Sequence, residues 1–81
     1  MKRDDRSAMR EIEVRGGAIR LGQLLKVAGL VGSGGEAKAV LAEGGVTVNG
    51  EPESRRGRQL EAGDVVAAGD ESIRVIAAAD A

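Results

Sequence analysis

The chain has no cysteine, no histidine and no aromatic residue, and a single proline among its 81 positions. Without cysteine no disulfide supports the small core, which points to a reduced, intracellular protein. Without histidine or cysteine the commonest general base, the thiolate nucleophile and the soft metal ligands are missing, so neither an enzyme nor a cofactor is expected. Carboxylates alone could hold a hard cation. However, Asp4-Asp5 and Asp70-Glu71 lack the D-x-D-x-D-G spacing of a calcium loop and read as solvated surface, so no metal is expected. No apolar run approaches the roughly 20 residues that cross a bilayer, and Met1-Lys-Arg-Asp-Asp-Arg6 has no apolar stretch behind it to act as a secretion signal. A cytoplasmic location without membrane contact is the expectation.

The chain carries 12 basic and 13 acidic residues, so total charge leaves no footprint of a strongly basic nucleic-acid binder and only local patches can argue for one. With no Phe, Tyr or Trp, bases cannot stack on aromatic rings, and any RNA recognition has to use charge and shape.

The pattern is richest between Ser33 and Gly50. Ser33 and Glu36 stand in the S-x-x-E relation of a capping box, in which the serine oxygen accepts from an early helix amide and the glutamate reaches back to the serine amide. A helix therefore starts at Ser33. Its apolar positions Ala37, Val40 and Leu41 share one face, and Gly44 and Gly45 supply left-handed conformations that end it. Val46 and Val48 alternate with Thr47 as a half-buried strand, and Asn49-Gly50 is the pair favoured where both central turn positions need positive φ.

Residues 1–10 alternate charges and read as a flexible tail, 11–77 as one domain, and 78–81 as a loose end. Glu11 to Arg15 alternates like a strand with Ile12 and Val14 inward, suited to a sheet edge and broken by Gly16-Gly17. Leu21, Leu24, Leu25 and Ala28 recur at the spacing of a helix face, with Gly29 as its stop. The two short amphipathic helices are expected to pack face to face, with Gly44 and Ala28 permitting close approach. Glu51 to Gln59 reads as an exposed connection. Val65 to Ala67 and Ile73 to Ile76 read as strands with a turn at Gly69-Asp70. The expected fold class is α+β: two short packed helices followed by a small, mostly antiparallel sheet.

Three local features could meet an anion. Lys38 lies on one flank of the second helix and Glu36 and Glu43 on the other, which suits a phosphate backbone and equally an ordinary solvated helix. Gly34 and Gly35 expose amides at a helix N-terminus, which suits a phosphate, although capping by Ser33 and Glu36 already explains them. Arg55, Arg56 and Arg58 form the densest basic cluster outside the tail; the alternative is a solubilising loop partly neutralised by Glu51, Glu53 and Glu61. Arg15, Arg20 and Lys26 extend that patch only if the fold brings them to the same side.

Arg20-Leu-Gly-Gln-Leu-Leu, Ser33-Gly-Gly-Glu-Ala-Lys38, Gly45-Val-Thr-Val-Asn-Gly50 and Leu60-Glu-Ala-Gly-Asp-Val-Val66, in that order, resemble the RNA-binding domain named for ribosomal small-subunit protein S-four. The wording is most similar to the small stand-alone bacterial members. The resemblance implies an αL RNA-binding motif that docks without catalysis on the backbone of structured RNA, ribosomal or transfer RNA, with a ribosomal protein as a further partner and a monomeric state. Carried over by position, it implicates Arg20, Gln23 and Lys26 on the first helix, Ser33, Gly34 and Lys38 on the second, and Asn49 with Arg55, Arg56 and Arg58 beyond it. Many members have a basic residue where this chain has Gly34, which removes one expected phosphate contact. Two other readings compete: a protein-protein adaptor, and a ubiquitin-like sulfur carrier, which V-N-G and L-x-x-G-D-V also resemble but whose terminal Gly-Gly is absent from Ala79-Asp80-Ala81.

Overall fold

The computed structural model describes residues 9–78; the expected tail over residues 1–8 and the last three residues of the expected loose end lie outside that range. Strand β1 (Arg10–Val14) leads through a tight turn at Arg15–Gly17 into β2 (Ala18–Arg20), which runs without a loop into α1 (Leu21–Val27). Helix α2 (Gly34–Ala42) follows, then β3 (Val46–Val48), β4 (Glu51–Pro52), β5 (Gln59–Glu61), β6 (Val65–Ala68) and β7 (Glu71–Ala77).

Five strands form one sheet in the order β1-β7-β6-β3-β4, antiparallel throughout except for β1, which lies parallel to β7 at the edge with Ile12 opposite Val75. The expected edge strand is thus present, one residue earlier than its alternation suggested. Strand β2, which carries no sequence alternation long enough to announce it, pairs antiparallel with β5 as a separate ribbon. The long connection expected between Glu51 and Gln59 is therefore interrupted at both ends by pairing, β4 on β3 and β5 on β2.

The core is wholly aliphatic. Leu21, Leu24 and Leu25 of α1, Leu41 of α2 and Leu60 of β5 pack with Val46, Val48, Val66, Ile73 and Val75 of the sheet, all of them essentially inaccessible. Period-3.6 spacing on the helices and period-2 spacing on the strands put these residues on one side of each element. Val40 is only partly buried, at the rim of that cluster.

The helix ends follow local chemistry with two corrections. The Ser33 hydroxyl oxygen accepts from the Glu36 amide at 3.1 Å, but the Glu36 carboxylate accepts from the Gly32 amide at 2.7 Å rather than from that of Ser33. The reciprocal bond thus clips the loop before the cap. At the other end Gly44 takes φ 80° as the left-handed stop, whereas Gly45 does not adopt positive φ. A Cβ at Gly44 would meet nothing within 4 Å, so its role is conformational and not close packing between helices. Asn49 (φ 53°) and Gly50 (φ 86°) make the expected hairpin turn from β3 to β4.

Candidate nucleic-acid interface

The direct passage from β2 into α1 sets Arg20, the residue before the helix, beside Gln23 and Lys26 on the exposed side of that helix. The first α1 amides need acceptors, and they find them on the loop that follows β4. Leu21 donates to the Arg58 carbonyl and Gly22 to the Arg56 carbonyl, both at 2.8 Å. Residues 56–58 therefore lie across the N-terminus of α1. Gly22 permits this approach, since a Cβ there would stand 3.2 Å from the Cβ of Arg56.

The loop is held in that position by Glu53, the one charged side chain among the described residues that is buried, at 8 % exposure. One carboxylate oxygen accepts from the Ser54 and Arg55 amides at 3.0 Å and from Arg55 Nε at 3.1 Å; the other accepts from Arg58 Nη1 at 2.9 Å and Arg55 Nη2 at 3.3 Å. A buried carboxylate is tolerated only when its charge and lone pairs are matched in this way. Hydrogen bonds from the Arg55 side chain, then from Arg58, then from the Arg55 amide hold the Glu53 carboxyl far below the usual carboxylate range.

The three arginines consequently do not form one patch. Arg55 and Arg58 are committed to Glu53, while Arg56 reaches the other way and donates through Nη1 to the Gly34 carbonyl at 3.3 Å. A concavity of about 300 Å³ opens there. Its walls are Arg20, Gly22, Gln23 and Lys26 from the β2-α1 junction, Gly34 and Ala37 from α2, and Arg56 with Gly57 from the loop. Five residues singled out from the sequence thus meet: Arg20, Gln23, Lys26, Gly34 and Arg56. Among the described residues, Arg20 and Lys26 have no carboxylate within salt-bridge distance. Three cations around a floor of small residues make a positive, sterically open recess of a chemistry that suits an anion.

The other candidates lie elsewhere. The Ser33 oxygen is occupied by the cap. Lys38 is exposed one turn along α2 from Gly34 and does not line the recess. Asn49 sits at the far turn with its side chain engaged on both sides, Nδ2 donating to Asp64 at 3.0 Å and Oδ1 accepting from the Val65 amide at 3.0 Å. That contact and, above all, the Glu61 amide lower the Asp64 carboxyl below its ordinary value. Gly34, which appeared to cost the motif a cation, has the guanidinium of Arg56 beside it: a Cβ there would lie 3.4 Å from Nη1. Sequence reasoning missed Glu53 as the organiser, because a residue in an irregular loop has no periodicity to reveal that it is buried. It also missed Gly22, whose lack of a side chain matters only once the loop is seen to close over it.

Among the described residues no three acidic, histidine or cysteine side chains gather where they could hold a metal ion, and no helix is long and apolar enough to cross a membrane. Two packed helices beside a small sheet, with three cations gathered on one recess, match the α+β architecture that the motifs of the small RNA-binding domains led one to expect. A family model described as "S4 domain" matches residues 12–76. The chain belongs to the S4 domain family, the one its motifs resemble. It is similar to the "Probable ribosome maturation protein RlbA" of Bacillus subtilis, 58% identical over 48 residues that make up 59% of this chain and 68% of that protein. It is 39% identical over 59 residues to the candidate RNA-binding protein YbcJ of Escherichia coli, covering 73% of this chain and 84% of that one. Tyrosine--tRNA ligase of Burkholderia lata is 42% identical over 55 residues, 68% of this chain but 13% of the ligase.

Proposed function

We propose that this non-catalytic RNA-binding protein docks on the phosphate backbone of structured ribosomal RNA through Arg20, Lys26 and Arg56, and that it serves ribosome maturation in the cytoplasm. The observation that carries the docking surface is the convergence of these three cations on one recess, Arg20 and Lys26 from the continuous β2-α1 segment and Arg56 from the loop after β4, beside the N-terminus of α2. Arginine forks at Arg20 and Arg56 match phosphate oxygens bidentately, and the small floor residues let the backbone come close. Lys38 extends the track along α2 as a point charge. The ribosomal assignment is supported by the likeness to RlbA, which is named for ribosome maturation. Transfer RNA is the alternative partner class, supported by the weaker likeness to a tRNA ligase.

The test is binding of the purified chain to a ribosomal RNA fragment, followed by fluorescence anisotropy across a salt series. Affinity falls as salt rises, with a slope that reports the number of phosphates contacted. The double charge reversal R20E/K26E lowers both affinity and slope. Equal affinity and slope in wild type and variant would remove this face from the interface. Crosslinking in cells with sequencing of bound RNA then separates ribosomal from transfer RNA; recovery of proteins without enriched RNA would favour an adaptor.

A further inference from the structure

A second, more polar concavity of about 190 Å³ adjoins the cationic recess, sharing Arg20 and Gln23 with it and completed by Ala18, Ile19 and Gln59. Its geometry follows from the β2-β5 ribbon. Arg20 and Gln59 are direct cross-strand partners, so their side chains leave the ribbon on the same face, and Gln23 lies within the first turn of the helix that β2 becomes. All three are exposed, while Ile19, one residue back, is half-buried.

We infer that this concavity is a binding site for one unpaired nucleobase of the RNA, read by the side-chain amides of Gln23 and Gln59 and stacked against the guanidinium plane of Arg20. The inference rests on the phosphate-binding reading of the neighbouring recess. The chemistry of the two concavities differs in the way the two halves of a nucleotide differ. The first presents three cations, Arg20, Lys26 and Arg56, whereas the second presents one cation and two neutral amides. A carboxamide offers a donor and an acceptor side by side, matching the paired donor and acceptor edges of bases and having no net attraction for phosphate. Glu61, the cross-strand partner of Ala18, stands on the same face at the far end of the ribbon and repels a phosphate that would continue in that direction. A planar guanidinium supplies the stacking surface that a chain without aromatic residues otherwise lacks. Because Arg20 and Gln23 border both concavities, a nucleotide with its phosphate in the recess can place its base in the second site. Base reading of this kind requires a nucleotide out of its stack, so the expected target is a bulge or loop beside a paired stem.

The experiment compares a fully paired RNA hairpin with four versions of it that carry a single bulged A, C, G or U, each titrated with the full chain by fluorescence anisotropy. Wild type binds at least one bulged hairpin about tenfold more tightly than the paired one, the scale set by stacking and pairing of one base. Q59A, checked for folding by circular dichroism, brings that preference to within about twofold while K26E/R56E weakens binding to paired and bulged hairpins alike. In wild-type protein the side-chain amide NMR signals of Gln23 and Gln59 shift on adding the preferred bulged hairpin and not on adding the paired one. Equal wild-type affinity for all five hairpins, or amide signals that do not respond to the bulge, overturns the base site and leaves the phosphate reading standing. Loss of the phosphate reading shows itself differently, as K26E/R56E binding every hairpin as wild type does.

Discussion

The Gly22 amide donates to the carbonyl oxygen of Arg56 at 2.8 Å, so the residue that closes the first turn of α1 is also the one whose guanidinium stands at the N-terminus of α2. Backbone and side chain of Arg56 thereby tie both helices to one loop. The position of its charge is set by the fold and not by a flexible surface side chain alone.

That arrangement separates Arg56 from its neighbours in sequence. R56A is expected to weaken RNA binding about tenfold, the loss of one charge-assisted contact, and to reduce the salt slope by roughly one phosphate. R55A, whose side chain serves Glu53, is expected to leave the slope near wild type. Anisotropy titrations of both variants at several salt concentrations decide this. A larger slope change for R55A than for R56A contradicts the assignment.

E53Q distinguishes an organised site from general positive charge. The substitution makes the protein more basic, which by itself favours RNA, yet it removes the charge that Arg55 and Arg58 grip. The expected outcome is a lower melting temperature together with weaker RNA binding. Stronger binding at a lower melting temperature would show that the loop needs no fixed position.

Acid sensitivity follows from the same carboxylate. The folded-state carboxyl of Glu53 is depressed below its ordinary value of 4.5, and that of Asp64 below 3.8, so the folded state binds fewer protons than the unfolded chain. Their contribution to stability is complete above those ordinary values and is lost as pH falls below them towards the depressed folded values. Urea unfolding at pH 7, 5, 4 and 3 is expected to show stability falling below about pH 4.5, and E53Q to flatten that fall while starting lower at pH 7. A wild-type fall of equal steepness in E53Q assigns the acid sensitivity elsewhere.

Asn49 is expected to act on stability and not on RNA. N49A gives up a residue that tolerates positive φ and breaks the bonds to Asp64 and Val65, a cost of about 2 kcal/mol in urea unfolding. The RNA affinity of the folded fraction stays near wild type. A stable N49A that has lost RNA binding would place Asn49 in direct contact with the ligand.

Several residues that line the recess occupy motif positions legible in the sequence, and the arrangement that was not legible has a common cause. Arg20, Gln23, Lys26 and Gly34 were named by the family resemblance, position by position, while their meeting in one recess depends on how β2, α1 and α2 pack. Arg55, Arg56 and Arg58 lie in an irregular loop, where adjacency in sequence says nothing of direction. Glu53 carries a residue type that is usually exposed, so its burial is invisible until its two arginine partners are in place.

The sequence by itself determined the elements whose causes are local: the Ser33 cap, the Gly44 stop, the two aliphatic helix faces, the Val46–Val48 strand and the Asn49-Gly50 turn, each set by residues a few positions apart. Only the tertiary structure decided the parallel pairing of β1 with β7, the β2-β5 ribbon, the closure of the 56–58 backbone over α1 and which of the loop's three arginines lines the recess. These depend on contacts between distant segments, where the hydrogen bonds left open by one element are met by whichever carbonyl or guanidinium the fold delivers.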